Sequence, residues 1–193
     1  MKIVYIHGAT ASERSFAFIQ KSLDCKDPIY LNYSKHTAAV DNLAVMMKTL
    51  NDIDDDDFFV IAHSLGGVYA TYLQSEFDTI KNVVSLATPF NGSEIAVWGA
   101  SMKFFSGYEM FSDITTHSRF IRGSRNIDIS CNWLQVVTTV GDVPWISGEN
   151  DGIVTRKSMT CRDDIEYAEV DRNHYEIVLS DRVVEIIKNK FNT

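Results

Sequence analysis

The chain has 193 residues, which is enough for one domain with a substantial buried core. Its formal net charge of -8 argues against nucleic acid or an anionic membrane surface as an electrostatic partner. No apolar run reaches the length that spans a bilayer, so we expect no stable insertion into a membrane. We therefore predict a soluble protein with a single domain over residues 1–193.

The cysteines and the N-terminus favour a cytoplasmic location. Cys25, Cys131 and Cys161 are odd in number, lie far apart and form no C-x-x-C pair, which is typical of reduced thiols without a metal. Met1 is followed almost at once by the short apolar run 3–6, which is too short for the core of a signal peptide. We therefore expect a protein of the cytoplasm.

Apolar runs alternate with helix-forming segments along most of the chain. The predicted strands are residues 3–6, 28–31, 58–61, 82–86, 134–140 and 165–170. The predicted helices are residues 12–23, 37–50, the segment that follows Ser64, and residues 181–191. Strands separated by helices predict an α/β fold in which about six mostly parallel strands carry helices on both faces.

Residues 91–132 interrupt this alternation, because they contain no clear strand. The segment is rich in large apolar side chains, among them Trp98, Phe104, Phe105, Tyr108 and Phe111. A loop of this length in a compact domain often covers a functional site, so a lid-like or cap-like insertion is one interpretation. In that case these five side chains would bind an apolar substrate. Helices packed on the sheet are the other interpretation, and the sequence does not decide between the two.

Ser64 lies in a motif that is typical of a catalytic nucleophile. The sequence Ala62-His63-Ser64-Leu65-Gly66 follows the apolar run 58–61 and precedes a helix-forming segment. A serine at a sharp strand-to-helix turn, with small residues two positions away on either side, is a nucleophile elbow. The small side chains are needed because bulky ones would collide at such a strained turn. Ala62 stands where glycine is usual, which is a mild departure.

A serine hydroxyl needs a base to take its proton, and the base needs an acid to orient it. Two histidines follow Ser64, namely His117 and His174. His174 lies between the last predicted strand and the last predicted helix, at the sheet edge where such sites form. His117 precedes the strand that should supply the acid, so we predict His174 as the base.

Three carboxylates between the fifth and sixth predicted strands are candidates for the acid. Asp151 lies in an Asn-Asp-Gly turn, and Asp142 lies closer to the end of the strand, with Glu149 as a third candidate. Aspartate beside glycine is common in turns without any catalytic meaning. Spacing alone therefore leaves the choice between Asp151 and Asp142 open.

An oxyanion hole requires two backbone N–H donors. The first is expected from Leu65, directly after the nucleophile. The second is expected from Ala9, in the loop after the first strand, where Gly8 lets the backbone approach the substrate closely. His7 and His63 are expected to be structural residues beneath the site.

Five short sequence blocks lie along this chain in an order that a known protein family also shows. They are Ile6-His7-Gly8-Ala9, Ala62-His63-Ser64-Leu65-Gly66-Gly67, Leu86-Ala87-Thr88-Pro89-Phe90, Asn150-Asp151-Gly152-Ile153-Val154 and Asn173-His174. In this the chain resembles the α/β-hydrolase superfamily, and within it the small bacterial lipases and esterases. The acid of these proteins often lies in an Asn-Asp-Gly-hydrophobic-Val block, so the resemblance favours Asp151 over Asp142. The first predicted strand of this chain matches the third strand of the family, which implies a minimal version of the fold with fewer strands.

The resemblance implies a serine hydrolase that uses a triad of Ser64, Asp151 and His174. Its substrates would be small carboxylic esters, including lipid-like esters. No cofactor and no catalytic metal are expected. Some similar lipases bind a structural calcium near the catalytic histidine; Glu176 and Asp142 are two candidate ligands here, and the sequence does not identify the others. Thioesterase or amidase chemistry would use the same triad, because fold does not choose among these reactions. A binding protein that keeps the fold without catalysis is a further alternative. The oligomeric state cannot be read from the sequence.

Overall fold

The computed structural model describes residues 1–53, 57–93, 112–141 and 143–191. In these ranges the chain forms a six-stranded sheet in which every neighbouring pair of strands is parallel. The strands are β1 (Lys2–Ile6), β2 (Ile29–Tyr30), β3 (Phe58–His63), β4 (Ile80–Leu86), β5 (Asn132–Thr138) and β6 (Glu166–Val170), in the order β2-β1-β3-β4-β5-β6. The order places β3 in the interior of the sheet, between β1 and β4.

Helices cover both faces of this sheet. They are α1 (Ala17–Ser22), α2 (Ala39–Asn51), α3 (Leu65–Glu76), α4 (Arg119–Arg125), α5 (Arg156–Met159) and α6 (Asp181–Phe191), with 3-10 turns at Glu13–Phe16 and Glu176–Leu179. No helix among the described residues is both long enough and apolar enough to cross a bilayer.

The side chains of β3 explain why both faces are covered. All six residues of this strand are buried, as expected for an interior strand of a parallel sheet. Because successive side chains point to opposite faces, Val60 packs in one core with α2, α3 and α4. Ile61 packs in the second core with α1, α5 and α6.

The sequence predicted this architecture correctly, with differences at the ends of elements. The predicted helix 181–191 is α6 with the same bounds. β5 ends at Thr138, two residues earlier than predicted, and β2 is shorter than predicted. Pro28 does not extend β2 at its start, because proline has no backbone N–H to donate to a neighbouring strand.

The described part of the 91–132 segment includes a helix packed on the sheet layer. Phe120 and Ile121 of α4 are buried, and the Phe120 ring stacks on Tyr72 of α3 with ring centroids 4.7 Å apart. The Tyr72 hydroxyl also donates to the backbone oxygen of Phe120 over 2.6 Å. The predicted substrate-binding residues lie outside the described residues: Trp98, Phe104, Phe105, Tyr108 and Phe111. The lid remains a prediction.

Candidate active site

Ser64 lies at a strained turn between β3 and α3. Its backbone has φ 52°, in the left-handed region that residues other than glycine rarely adopt. The turn brings α3 so close to β1 that a Cβ atom on Gly66 would lie 2.1 Å from the backbone oxygen of Ile6. Gly66 therefore permits the close approach that holds Ser64 at the carboxyl end of the sheet.

The structure brings Ser64, His174 and Asp151 together. His174 Nε2 lies 3.0 Å from Ser64 Oγ, and His174 Nδ1 lies 2.8 Å from Asp151 Oδ2. All three residues are buried, and Ser64 retains 8% of its surface exposed. The three residues come from the turn after β3, the loop after β5 and the loop after β6, which meet at the carboxyl edge of the sheet.

The hydrogen bonds indicate which ring nitrogen of neutral His174 carries the proton. The Asp151 carboxylate can only accept, so Nδ1 of neutral His174 carries the proton. Nε2 then presents a lone pair to Ser64, whose hydroxyl donates to it. This arrangement leaves the imidazole ready to take the serine proton.

The carboxylate of Asp151 is held by four donors. Oδ2 accepts from His174 and from the Thr138 hydroxyl, which is 2.5 Å away, and Oδ1 accepts from the backbone N–H groups of Ile153 and Val154 at 3.0 and 2.7 Å. Burial acts to raise the pKa of Asp151, but the hydrogen bonds from His174, Thr138 and Val154 and the His174 charge outweigh burial and lower the pKa. Asp151 is therefore a fixed anion at neutral pH.

The other acid and base candidates differ from these residues in position. Glu149 is exposed, and its carboxylate faces Arg156, with Oε2 3.7 Å from Nε. His117 is exposed in the turn before α4. Asp142, the main competitor of Asp151, lies outside the described residues.

The two predicted oxyanion donors flank Ser64. Leu65 is the first residue of α3, at the end of a helix where N–H groups lack partners within the helix. Ala9 lies in the loop after β1, and both residues line the same cavity as Ser64. A Cβ atom on the preceding Gly8 would lie 3.2 Å from the Cβ of Ser64, so this loop lies directly against the nucleophile.

Ser64 and His174 open onto a cavity of about 340 Å³. The apolar side chains that line it come from several parts of the chain and include Ala9, Leu65, Ile114, Ile153, Val154 and Val178. Among its described lining residues there is no Lys, Arg, Asp or Glu. In the described ranges, no three His, Cys, Asp or Glu side chains are grouped as a metal site would require. The cavity is therefore suited to an uncharged, apolar group.

Sequence reasoning missed several residues of this site. Thr138 is the last residue of β5, which the sequence predicted to continue to residue 140, so its position at the carboxyl edge was not apparent. Ile153, in the loop after β5, and Val178, in the 3-10 turn after β6, contribute apolar surface to the cavity wall. Ordinary aliphatic residues in loops have no pattern that would mark them as lining residues.

Comparisons with known proteins agree on the fold. The mature form of the lipase BlEst2 of Bacillus licheniformis superposes with a TM-score of 0.81 at 16% identity, over 97% of this chain and 90% of the lipase. Phospholipase PlaB of Legionella pneumophila gives 0.74 at 12% identity, over 100% of this chain and 61% of PlaB. The metagenomic carboxyl esterase MGS0156 gives 0.72 at 15% identity, over 90% of this chain and 64% of the esterase. No protein-family model and no curated sequence matches the chain.

The parallel sheet, the strained turn at Ser64 and these superpositions together identify the chain as a protein with the α/β-hydrolase fold. The predicted resemblance is confirmed at the level of the fold.

Proposed function

We propose that this protein is a serine hydrolase that cleaves carboxylic esters through an acyl-enzyme intermediate. The observation that carries the proposal is the continuous chain of hydrogen bonds from Asp151 through both ring nitrogens of His174 to Ser64. Ser64 also lies at a strained turn and faces an apolar cavity. An activated serine in this arrangement is the common requirement of acyl-transfer chemistry.

In the first half of the reaction, His174 takes the Ser64 proton as Oγ attacks the acyl carbonyl carbon. Asp151 remains ionised and stabilises the imidazolium that forms. The negative charge on the tetrahedral intermediate is held by the N–H groups of Ala9 and Leu65. His174 then gives its proton to the departing alcohol, and the acyl group stays on Ser64.

In the second half, water attacks the acyl-enzyme. His174 takes a proton from this water and returns it to Ser64 Oγ as the carboxylic acid leaves. In each half-reaction His174 therefore acts once as a base and once as an acid, and the enzyme returns to its starting protonation state.

The cavity supports an uncharged ester with an apolar acyl or alcohol group. A charged group would lose its hydration there without a compensating charge among the described lining residues. Structures similar to this chain are named as a lipase and a carboxyl esterase, which is consistent with this class of substrate. The aromatic residues 98–111 stay in the proposal as further contacts to the substrate.

Hydrolysis of p-nitrophenyl esters from acetate to palmitate tests the proposal. We expect turnover by the wild type and a loss of at least about 10⁴-fold in Ser64→Ala, because the Ser64 hydroxyl is the group that lies 3.0 Å from His174 Nε2. Ser75→Ala is a matched control, since this serine is exposed near the end of α3 and bonds its own helix at Tyr72.

The outcome also separates the alternatives. Turnover that persists in Ser64→Ala would contradict the assignment of the nucleophile. Serine-dependent cleavage of thioesters or amides but not of oxygen esters would replace esterase by thioesterase or amidase activity. No serine-dependent turnover of any of the three would favour a binding function.

A further inference from the structure

His63 is a buried histidine that the proposed reaction does not use. It is the last residue of β3, directly before Ser64, and only 4% of its surface is exposed. Its Nε2 lies 2.9 Å from the backbone oxygen of His174. Because a carbonyl oxygen can only accept a hydrogen bond, Nε2 must carry a proton.

The ring of His63 is neutral at pH 7, because its pKa lies well below that pH. Burial, together with the nearby charge of His174, lowers the pKa of His63 from 6.5 to about 3. With the proton on Nε2, the neutral ring has an unprotonated Nδ1, which has no hydrogen-bond partner among the described residues. Among the described residues, neither ring nitrogen of His63 forms a hydrogen bond with Ser64.

The hydrogen bond from His63 is one of two that hold the backbone of His174 in place. The N–H of His174 donates to the backbone oxygen of Asp151 over 3.2 Å, and the C=O of His174 accepts from His63. The loop that carries the base is thus tied to the residue that carries the acid and to the strand that carries the nucleophile. These two ties cross 23 and 111 positions of the chain.

The loop after β1 also packs on His63. A Cβ atom on Gly8 would lie only 2.9 Å from His63 Nδ1. Since the proposed oxyanion donor Ala9 follows Gly8, the His63 ring contacts the segments that would supply base, nucleophile and oxyanion donor.

We propose that His63 is a positioning residue, which sets the distance between His174 and Ser64 by donating its Nε2–H to the His174 carbonyl. The inference rests on the proposed function, because it gives the role of His63 in that same reaction. Reacting groups must be held within a fraction of an ångström, and a displacement of about 1 Å can cost about 100-fold in rate. Loss of this hydrogen bond should therefore lower kcat rather than weaken substrate binding.

A matched pair of variants isolates the hydrogen bond. Methionine and glutamine have similar length and shape, but only glutamine carries an amide donor near the place of His63 Nε2. We expect His63→Met to lower kcat for p-nitrophenyl esters by about 10- to 100-fold with KM changed less than about threefold. His63→Gln should recover most of this loss. Equal kcat in His63→Met and the wild type, or equal loss in both variants, would overturn the proposal.

Two spectroscopic measurements do not depend on turnover. In wild-type protein labelled with ¹⁵N-histidine, we expect His63 to remain neutral with its proton on Nε2 from pH 5 to 8. A His63 ring that is protonated on Nδ1 anywhere in this range would overturn the proposal even if the variants did not fold. The His174 Nδ1–H resonance should shift or exchange faster in His63→Met, and stay near its wild-type position in His63→Gln.

These readouts distinguish the two levels of the account. If the wild type shows no Ser64-dependent turnover, the proposed function fails, and the spectra still report whether His63 orients His174. If the wild type is active and neither kcat nor the His174 resonance responds to His63→Met, the positioning role fails and the proposed function stands.

Discussion

The buried histidine before Ser64 should make the protein measurably less stable in mild acid. The pKa of His63 is about 3 in the folded chain and 6.5 in its ordinary state. Below pH 6.5 the unfolded chain binds a proton at this ring and the folded chain does not, so the free energy of unfolding falls as the pH falls. The slope is about 1.4 kcal/mol per pH unit, and the effect extends down to about pH 3, where the folded form is protonated too. Between pH 7.0 and 5.0 the loss due to His63 amounts to about 2 kcal/mol.

Urea unfolding at pH 7.0, 6.5, 6.0 and 5.0 measures this effect when wild type and His63→Gln are compared. Other groups contribute their own pH dependence, including His7, whose pKa is also lowered by burial. These contributions are present in both proteins and largely cancel in the difference between them, apart from the electrostatic coupling of His63 to His174, Asp151 and His7. We expect the wild type to lose about 2 kcal/mol more than His63→Gln between pH 7.0 and 5.0. Parallel pH dependences would refute the reasoning that His63 is held neutral by burial.

Two further predictions concern the acid of the proposed triad. Asp151→Asn should lower kcat by about 10⁴-fold, because an amide can donate to His174 Nδ1 and favour the wrong tautomer. A larger loss in Asp142→Asn in the same ester assay would show that the acid is wrongly assigned. Thr138→Val removes the hydroxyl that donates to Asp151 at 2.5 Å. The stabilisation that comes from the lowered pKa of Asp151 is present above its unfolded pKa of about 3.9 and is lost as the pH falls through the folded pKa. Thr138→Val should therefore cost about 1–3 kcal/mol at pH 7 in urea unfolding, and an equal loss in Thr138→Ser, which keeps the hydroxyl, would contradict this cause.

The fold could be predicted because its signals are local. The run 58–61 is apolar at every position, as an interior parallel strand requires, and it leads into small residues around Ser64. α6 was predicted with its observed bounds because its buried residues recur with the period of a helix. The position of Ser64 at a strained turn followed from the same local pattern.

The partners of the proposed triad were harder to predict, because they depend on contacts between distant parts of the chain. Spacing left Asp151 and Asp142 open, and the choice of Asp151 came from the resemblance. The structure places the Asp151 carboxylate 2.8 Å from His174. No sequence pattern marks Thr138 as a donor to Asp151, or relates His63 to a carbonyl 111 residues away, since sheet order and loop packing create both contacts.

Covalent labelling with a fluorophosphonate tests the central claim most directly, because it depends on an activated serine and not on the natural substrate. We predict that intact mass will show one adduct on the wild type and that peptide mapping will place it on Ser64. Ser64→Ala should not be labelled, and His174→Ala should be labelled far more slowly. A wild type that is not labelled, or an adduct that persists in Ser64→Ala, would contradict the assignment of this protein as a serine hydrolase acting through Ser64.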